Sequence, residues 1–248
     1  MSRDLFSAQS ESYARYRPRY PDELYQHILG FVEQKNRAWD CATGNGQAAV
    51  ALADFFSEVK ASDISEAQIS RAEQRDNIEY LICAAEQTPF ADNSFDLITI
   101  ATAYHWLDWQ KFFAEATRVG KPSCVVAAWA YHLLTSKESA INEIILHFYR
   151  NITGPYWDPE RKHVDSFYST VQFDFDPLPV KNFTINVVWT QEELKGYFST
   201  WSAVQHFIRK NQHSPLDLIE KDLELAWKNN EPKNFQIPLF LRMGRVRK

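Results

Sequence analysis

Gly44 and Gly46, with Asp40 just ahead of them and Asp63 and Glu86 further on, are the residues whose types and spacing point most directly to chemistry. Glycine is scarce in this chain, 7 in 248 residues, and two of the seven flank Asn45. Glycine permits positive φ and lets another group approach the backbone closely. A strand running into such a turn and then a helix is a common seat for a nucleotide-like cofactor. Gly44-Asn-Gly-Gln-Ala-Ala49 fits the pattern Gly-x-Gly-x-x-Gly/Ala. Asp63 follows about 20 residues after Gly44, where a dinucleotide fold places its ribose-binding acid. The turn alone therefore fits an NAD-dependent dehydrogenase, or a tight strand-to-helix connection with no ligand. The acids tilt the balance. With the usual sheet order, Asp40, Asp63 and Glu86 face one crevice, where they would repel a pyrophosphate. S-adenosylmethionine carries no phosphate but a sulfonium, an ammonium, a carboxylate, a ribose diol and an adenine, and suits such a crevice better.

The elements that must position these residues alternate along the chain. Residues 38–42 read as a strand, 47–56 as an apolar helix, 59–63 as a strand and 66–74 as a helix. Strands follow at 78–83 and 95–101, a helix at 109–119 and a Val- and Ala-rich strand at 123–129. This rhythm predicts an α/β fold, a Rossmann-like, mainly parallel sheet with helices on both faces. Before it, Pro21-Asp22-Glu23 starts a helix with acids in its first turn. After Trp129 the rhythm breaks into a helix at 136–150 and an aromatic segment, Tyr156-Trp157-Asp158-Pro159. A strand at 183–189, helices at 191–208 and 215–228 and a strand at 237–246 complete the chain. We read one domain over 1–248, with 1–34 as an N-terminal helical lid segment and 130–180 as an inserted α-helical and aromatic cap.

Asp40-Cys-Ala-Thr-Gly-Asn-Gly46 resembles the first motif, Asp-x-Gly-x-Gly-x-Gly, of the class I S-adenosylmethionine-dependent methyltransferases. It departs at Ala42, which stands where the first glycine is usual and leaves a positive φ there in question. The resemblance implies a seven-stranded sheet and a set of cofactor-binding residues. Asp40 opens the motif, and Ala42, Thr43, Gly44 and Gly46 would line the methionine half. Asp63 would hold the ribose diol, with Ile64 beside the adenine and Ala85 and Glu86 at its edge; Ala101 and Thr102 would pass beneath. A narrower likeness runs over almost the whole chain. Tyr13-Ala-Arg-Tyr-Arg-Pro-Arg-Tyr-Pro21, Ala103-Tyr-His-Trp-Leu-Asp-Trp109, Tyr156-Trp-Asp-Pro-Glu-Arg161 and Thr200-Trp-Ser-Ala-Val204 are similar to a small-molecule subgroup that includes the trans-aconitate methyltransferases. It implies a small-molecule methyl acceptor and favours carboxyl O-methylation of an organic acid.

Methyl transfer from a sulfonium is an in-line displacement, so the protein must chiefly align the acceptor and exclude water. His105 is the candidate catalytic residue, because an unperturbed imidazole exchanges protons near neutrality. If the acceptor is a carboxylate it is already ionised, and His105 would orient it instead. Arg17 is expected near the cofactor carboxylate and Arg161 near the acceptor, since an arginine fork suits a carboxylate. Tyr13, Trp106 and Trp157 complete the expected acceptor-binding set. A non-catalytic cofactor-binding module of the same fold is the remaining alternative.

Bulk properties set the frame. A net charge of −5 argues against nucleic acid as the default partner, with Arg242, Arg245, Arg247 and Lys248 read as a solvated basic end. Cys41, Cys83 and Cys124 sit in apolar runs and read as small hydrophobes, with no metal-ligand spacing anywhere. No leader-like or membrane-spanning apolar run is present, so a cytoplasmic protein is expected. Nothing in the sequence bears on oligomeric state.

Overall fold

The structure, a computed structural model, describes residues 16–229 and 231–248. Its centre is a parallel sheet of five strands in the order β3-β2-β1-β4-β5. These are β1 (Arg37–Cys41), β2 (Glu58–Asp63), β3 (Ile78–Ile82), β4 (Phe95–Ala101) and β5 (Gly120–Tyr131). Strand β4 is buried along Phe95–Ile100, as a strand covered on both faces should be. Helices α2 (Gln47–Ala53), α3 (Glu66–Ile69) and α4 (Trp109–Val119) make the crossovers β1–β2, β2–β3 and β4–β5. The chain runs outward from β1 through β2 to β3, then returns to lay β4 on the other side of β1. That reversal opens a crevice beyond the carboxyl ends of β1 and β4, the usual ligand site of such sheets.

The sheet holds nine strands among the described residues, against the seven expected. Two of them, β6 (Thr135–Ser136) and β7 (Asp176–Pro177), are two-residue pairings too short to leave a periodic signal. They, β5 and β8 (Phe183–Trp189) all pair antiparallel with β9 (Lys233–Arg245). The parallel character therefore belongs to the five-strand centre, and β9 carries an antiparallel extension.

Helix α1 (Asp22–Leu29) buries Leu24, Tyr25, Ile28 and Leu29, with the Tyr25 ring edge-on to Trp129. Each fully buried Leu or Ile contributes about 1.5–3 kcal/mol relative to exposure, so α1 belongs to the core. The stretch 130–180 carries α5 (Ser139–His147), a π-turn, a 3-10 turn and α6 (Arg161–Asp165). The expected helix over 191–208 is two helices, α7 (Gln191–Ser199) and α8 (Ser202–Asn211), and α9 (Glu220–Trp227) precedes β9. A capping box at Thr190 and Glu193 starts α7. Arg242 and Arg245 are not a solvated end: they lie in β9 and donate to the carbonyls of Tyr168, Ser123 and Phe31.

Candidate active site

The turn after β1 is built from left-handed residues. Ala42, Gly44 and Gly46 have φ of 51°, 58° and 83°. Ala42 thus keeps the conformation that glycine would adopt without penalty, at a cost of about 1–2 kcal/mol. The two glycines do different work. A Cβ on Gly44 would meet nothing within 4 Å, so its absence keeps a cradle open. A Cβ on Gly46 would lie 2.5 Å from the Tyr80 hydroxyl, so Gly46 lets β3 pack against the turn. Gly46 does not line the cavity as expected; it supports the turn from behind.

Asp40 also works from behind. Its carboxylate is fully buried and accepts hydrogen bonds from the hydroxyls of Thr43 and Thr99. Burial pushes it up to about 6 against these bonds. It faces inward under the turn instead of into the crevice. Asp63 does reach the crevice: one oxygen accepts from Gly44 N at 2.8 Å and the other from Ser65 N at 2.9 Å. One carboxylate thereby joins the β1 turn to the loop after β2.

Above the turn lies a cavity of about 480 Å³ lined by Ala42, Thr43, Gly44, Asp63, Ile64, Ala85, Glu86, Ala101, Thr102 and others. Nine of the twelve expected cofactor residues are thus named by one cavity wall, which is a normal size for a small-ligand site. Asp63, Glu86, Asp158 and Glu160 are its acids, and no Lys, Arg or His lines it among the described residues. Such walls fit a cationic, phosphate-free ligand and oppose a pyrophosphate.

A second cavity of about 60 Å³ adjoins the first and shares Thr102, Trp106 and Asp158 with it. On the order of four to six water-sized positions fit there. Its wall includes Arg17, His105, Trp106, Trp157 and Arg161, so four expected residues meet in one place and Arg17 joins them instead of the first cavity. Arg17 donates to the Thr200 carbonyl at 3.1 Å and to the Tyr131 hydroxyl. Arg161 is tethered through Nε, to the Tyr149 hydroxyl at 3.0 Å and to Asp165 at 3.2 Å, with its guanidinium 4.7 Å over Trp157. Its terminal nitrogens make no hydrogen bond among the described residues, so they can serve a ligand.

His105 is buried, with Nδ1 2.9 Å from the Tyr168 hydroxyl. Burial first, then Arg161 and His163, pushes the imidazole down to about 3. The near-neutral proton acceptor expected from its residue type is absent: this imidazole is neutral at pH 7 and a weak base. Tyr13 lies outside the described residues. The sequence reading missed Tyr20, Gln47, Gln68, Asp158 and Glu160 as wall residues. Asp158 and Glu160 sit inside the aromatic motif that ends at Arg161, three residues and one residue before it, and that proximity was the available signal. Trp109, which ends the motif that carries His105 and Trp106, lines neither cavity; it donates to the Tyr104 carbonyl and packs on that ring. The three cysteines are free; Cys41 and Cys124 are buried, while Cys83 lines the larger cavity.

The fold and this site define an α/β protein with a ligand cavity at its topological switch point. A family profile described as a methyltransferase domain matches residues 39–128. A Dictyostelium discoideum protein named as a candidate methyltransferase is 33% identical over 231 residues, covering 92% of this chain and 88% of its own. The solved structure of a candidate type II methyltransferase from Anaeromyxobacter dehalogenans superposes with a TM-score of 0.85 at 35% identity, covering 94% of this chain and 99% of that one. A Saccharomyces cerevisiae protein named as a candidate S-adenosylmethionine-dependent methyltransferase is 26% identical over 132 residues, 50% of this chain and 45% of its own. The chain belongs to the class I S-adenosylmethionine-dependent methyltransferase family. A dehydrogenase is thereby set aside. Among the described residues no helix is long and apolar enough to cross a membrane, and no group of His, Cys, Asp and Glu could hold a metal ion.

Proposed function

We propose that the larger cavity seats S-adenosylmethionine, the smaller one a compact carboxylate, and that the protein makes the methyl ester of a small organic acid. The observation that carries this reading is the opposite charge of two joined cavities. Asp63, Glu86 and Glu160 line the larger one alone, Asp158 stands where the two meet, and Arg17 and Arg161 line the smaller. A cationic donor and an anionic acceptor match that division. The likeness to the trans-aconitate methyltransferase subgroup points the same way and names a class of acceptor, not a compound.

Bound in the larger cavity, S-adenosylmethionine supplies a methyl group made electrophilic by its sulfonium. The cradle at Gly44 would hold its methionine half, Asp63 its ribose diol, and Ile64, Ala85 and Glu86 its adenine. Arg161 would hold the acceptor by a carboxylate, with the fork geometry that suits such a group. A carboxylate is ionised at neutral pH and needs no base, which agrees with a neutral His105. The chain then contributes mainly alignment, worth about 7–11 kcal/mol in well-oriented systems. Trp106 and Trp157 would keep water from the junction, with the segment 130–180 as cap.

Isothermal titration calorimetry tests the donor half. S-adenosylmethionine binds the full chain, and Asp63→Ala weakens it at least about tenfold by removing a charge-assisted partner. No binding by the wild-type chain contradicts the proposal.

A further inference from the structure

Asp158 lines both cavities, yet no hydrogen bond reaches its carboxylate from any described residue. Its Oδ2 is shut off from solvent, and its side chain is 15% exposed. The only ion pair it makes among the described residues is with His206, whose Nδ1 is 3.7 Å from Oδ2. That nitrogen lies 2.9 Å from the Tyr156 carbonyl, which can only accept, so its hydrogen is already committed. The Asp158 backbone is held as well, its carbonyl accepting from Arg161 N at 2.9 Å. A carboxylate oxygen buried without a donor is costly, and such a group in a native structure calls for a partner.

A second observation says which partner. Asp40, the acid of the turn motif, is consumed by Thr43 and Thr99 and does not reach the cavity. Asp63 and Glu86 line the larger cavity alone, whereas Asp158 stands where the two cavities meet. A methyl group that passes from one cavity to the other must leave from that junction. The sulfonium carrying it, and the amino-acid end attached to the sulfonium, therefore lie beside Asp158. We propose that Asp158 receives the ammonium group of the methyl donor, so that the cap supplies the contact the turn motif does not. This rests on the donor assignment made above.

The test compares two ligands that share the adenosine thioether and differ in the amino-acid end. S-adenosylhomocysteine carries the ammonium; 5′-methylthioadenosine lacks it. By calorimetry on the full chain, Asp158→Asn weakens S-adenosylhomocysteine by roughly tenfold to a hundredfold, the range of a charge-assisted contact, and leaves 5′-methylthioadenosine unchanged. Asp158→Ala gives the same selective loss, and neither variant melts below the wild type, because each removes a carboxylate that no described residue holds by a hydrogen bond. Equal weakening of both ligands, or of neither, overturns the proposal. So does an unchanged S-adenosylhomocysteine affinity with a raised acceptor KM, which would give Asp158 to the acceptor. Failure of the wild-type chain to bind either ligand contradicts the donor assignment itself.

Discussion

His105 shows how surroundings decide what a side chain does. Its residue type suggests proton exchange near pH 7, but burial, Arg161 and His163 hold it down to about 3. It stays neutral in the fold, while an unfolded histidine protonates below about 6.5. The stability this group contributes is therefore full above about 6.5 and lost as pH falls toward 3. Its imidazole resonance, followed by NMR, is expected to stay constant between pH 5 and 8; an inflection near 6.5 contradicts this. Positions on the cavity wall were legible at or just after the carboxyl ends of parallel strands, as with Asp63, Ile64, Ala85, Glu86 and Thr102. They were not legible where direction depends on a distant partner. Asp40 turns inward because Thr99, on the neighbouring strand β4, meets it. Arg17 reaches the smaller cavity because the Thr200 carbonyl holds it.

At the scale of elements, the turn after β1 separates conformation from space. Gly44 faces open space and Gly46 faces Tyr80, though both take positive φ. Gly46→Ala is expected to lower stability by about 2–3 kcal/mol, adding a close contact to a left-handed penalty of about 1–2 kcal/mol. Gly44→Ala incurs the left-handed penalty alone but puts a methyl group into the cradle, so it lowers donor affinity more. Thermal melts with calorimetry on the two variants check this; the reverse order of effects contradicts it. Strongly periodic elements were read to the residue: Phe95–Ala101, Trp109–Val119 and Phe183–Trp189 match their expected bounds. The break between α7 and α8 was not, because Thr200 and Trp201 carry no proline or glycine signal. The break has a use, since it leaves the Thr200 carbonyl for Arg17.

At the scale of the whole molecule, the parallel centre places a crevice and the chain on either side of that centre shapes what it accepts. Arg17 comes from before α1, His105 from after β4, Tyr131 and His132 from the end of β5, Arg161 from the cap, and Trp201 from between α7 and α8. Alternation along the sequence made the five-strand centre readable. The convergence of five remote segments on one small basic cavity was not readable, since it depends on how β9 draws the antiparallel strands β6, β7 and β8 together. In the proposed reaction that cavity takes an anion beside a cationic donor. Methyl transfer from labelled S-adenosylmethionine, followed by mass spectrometry over matched carboxylate, amine and thiol acceptors, tests it most directly. The expected result is a methyl ester from trans-aconitate or a similar small acid, with Arg161→Gln raising the acceptor KM about tenfold or more and sparing donor affinity. Transfer confined to amines or thiols, or donor binding with no labelled product from any acceptor, would contradict it.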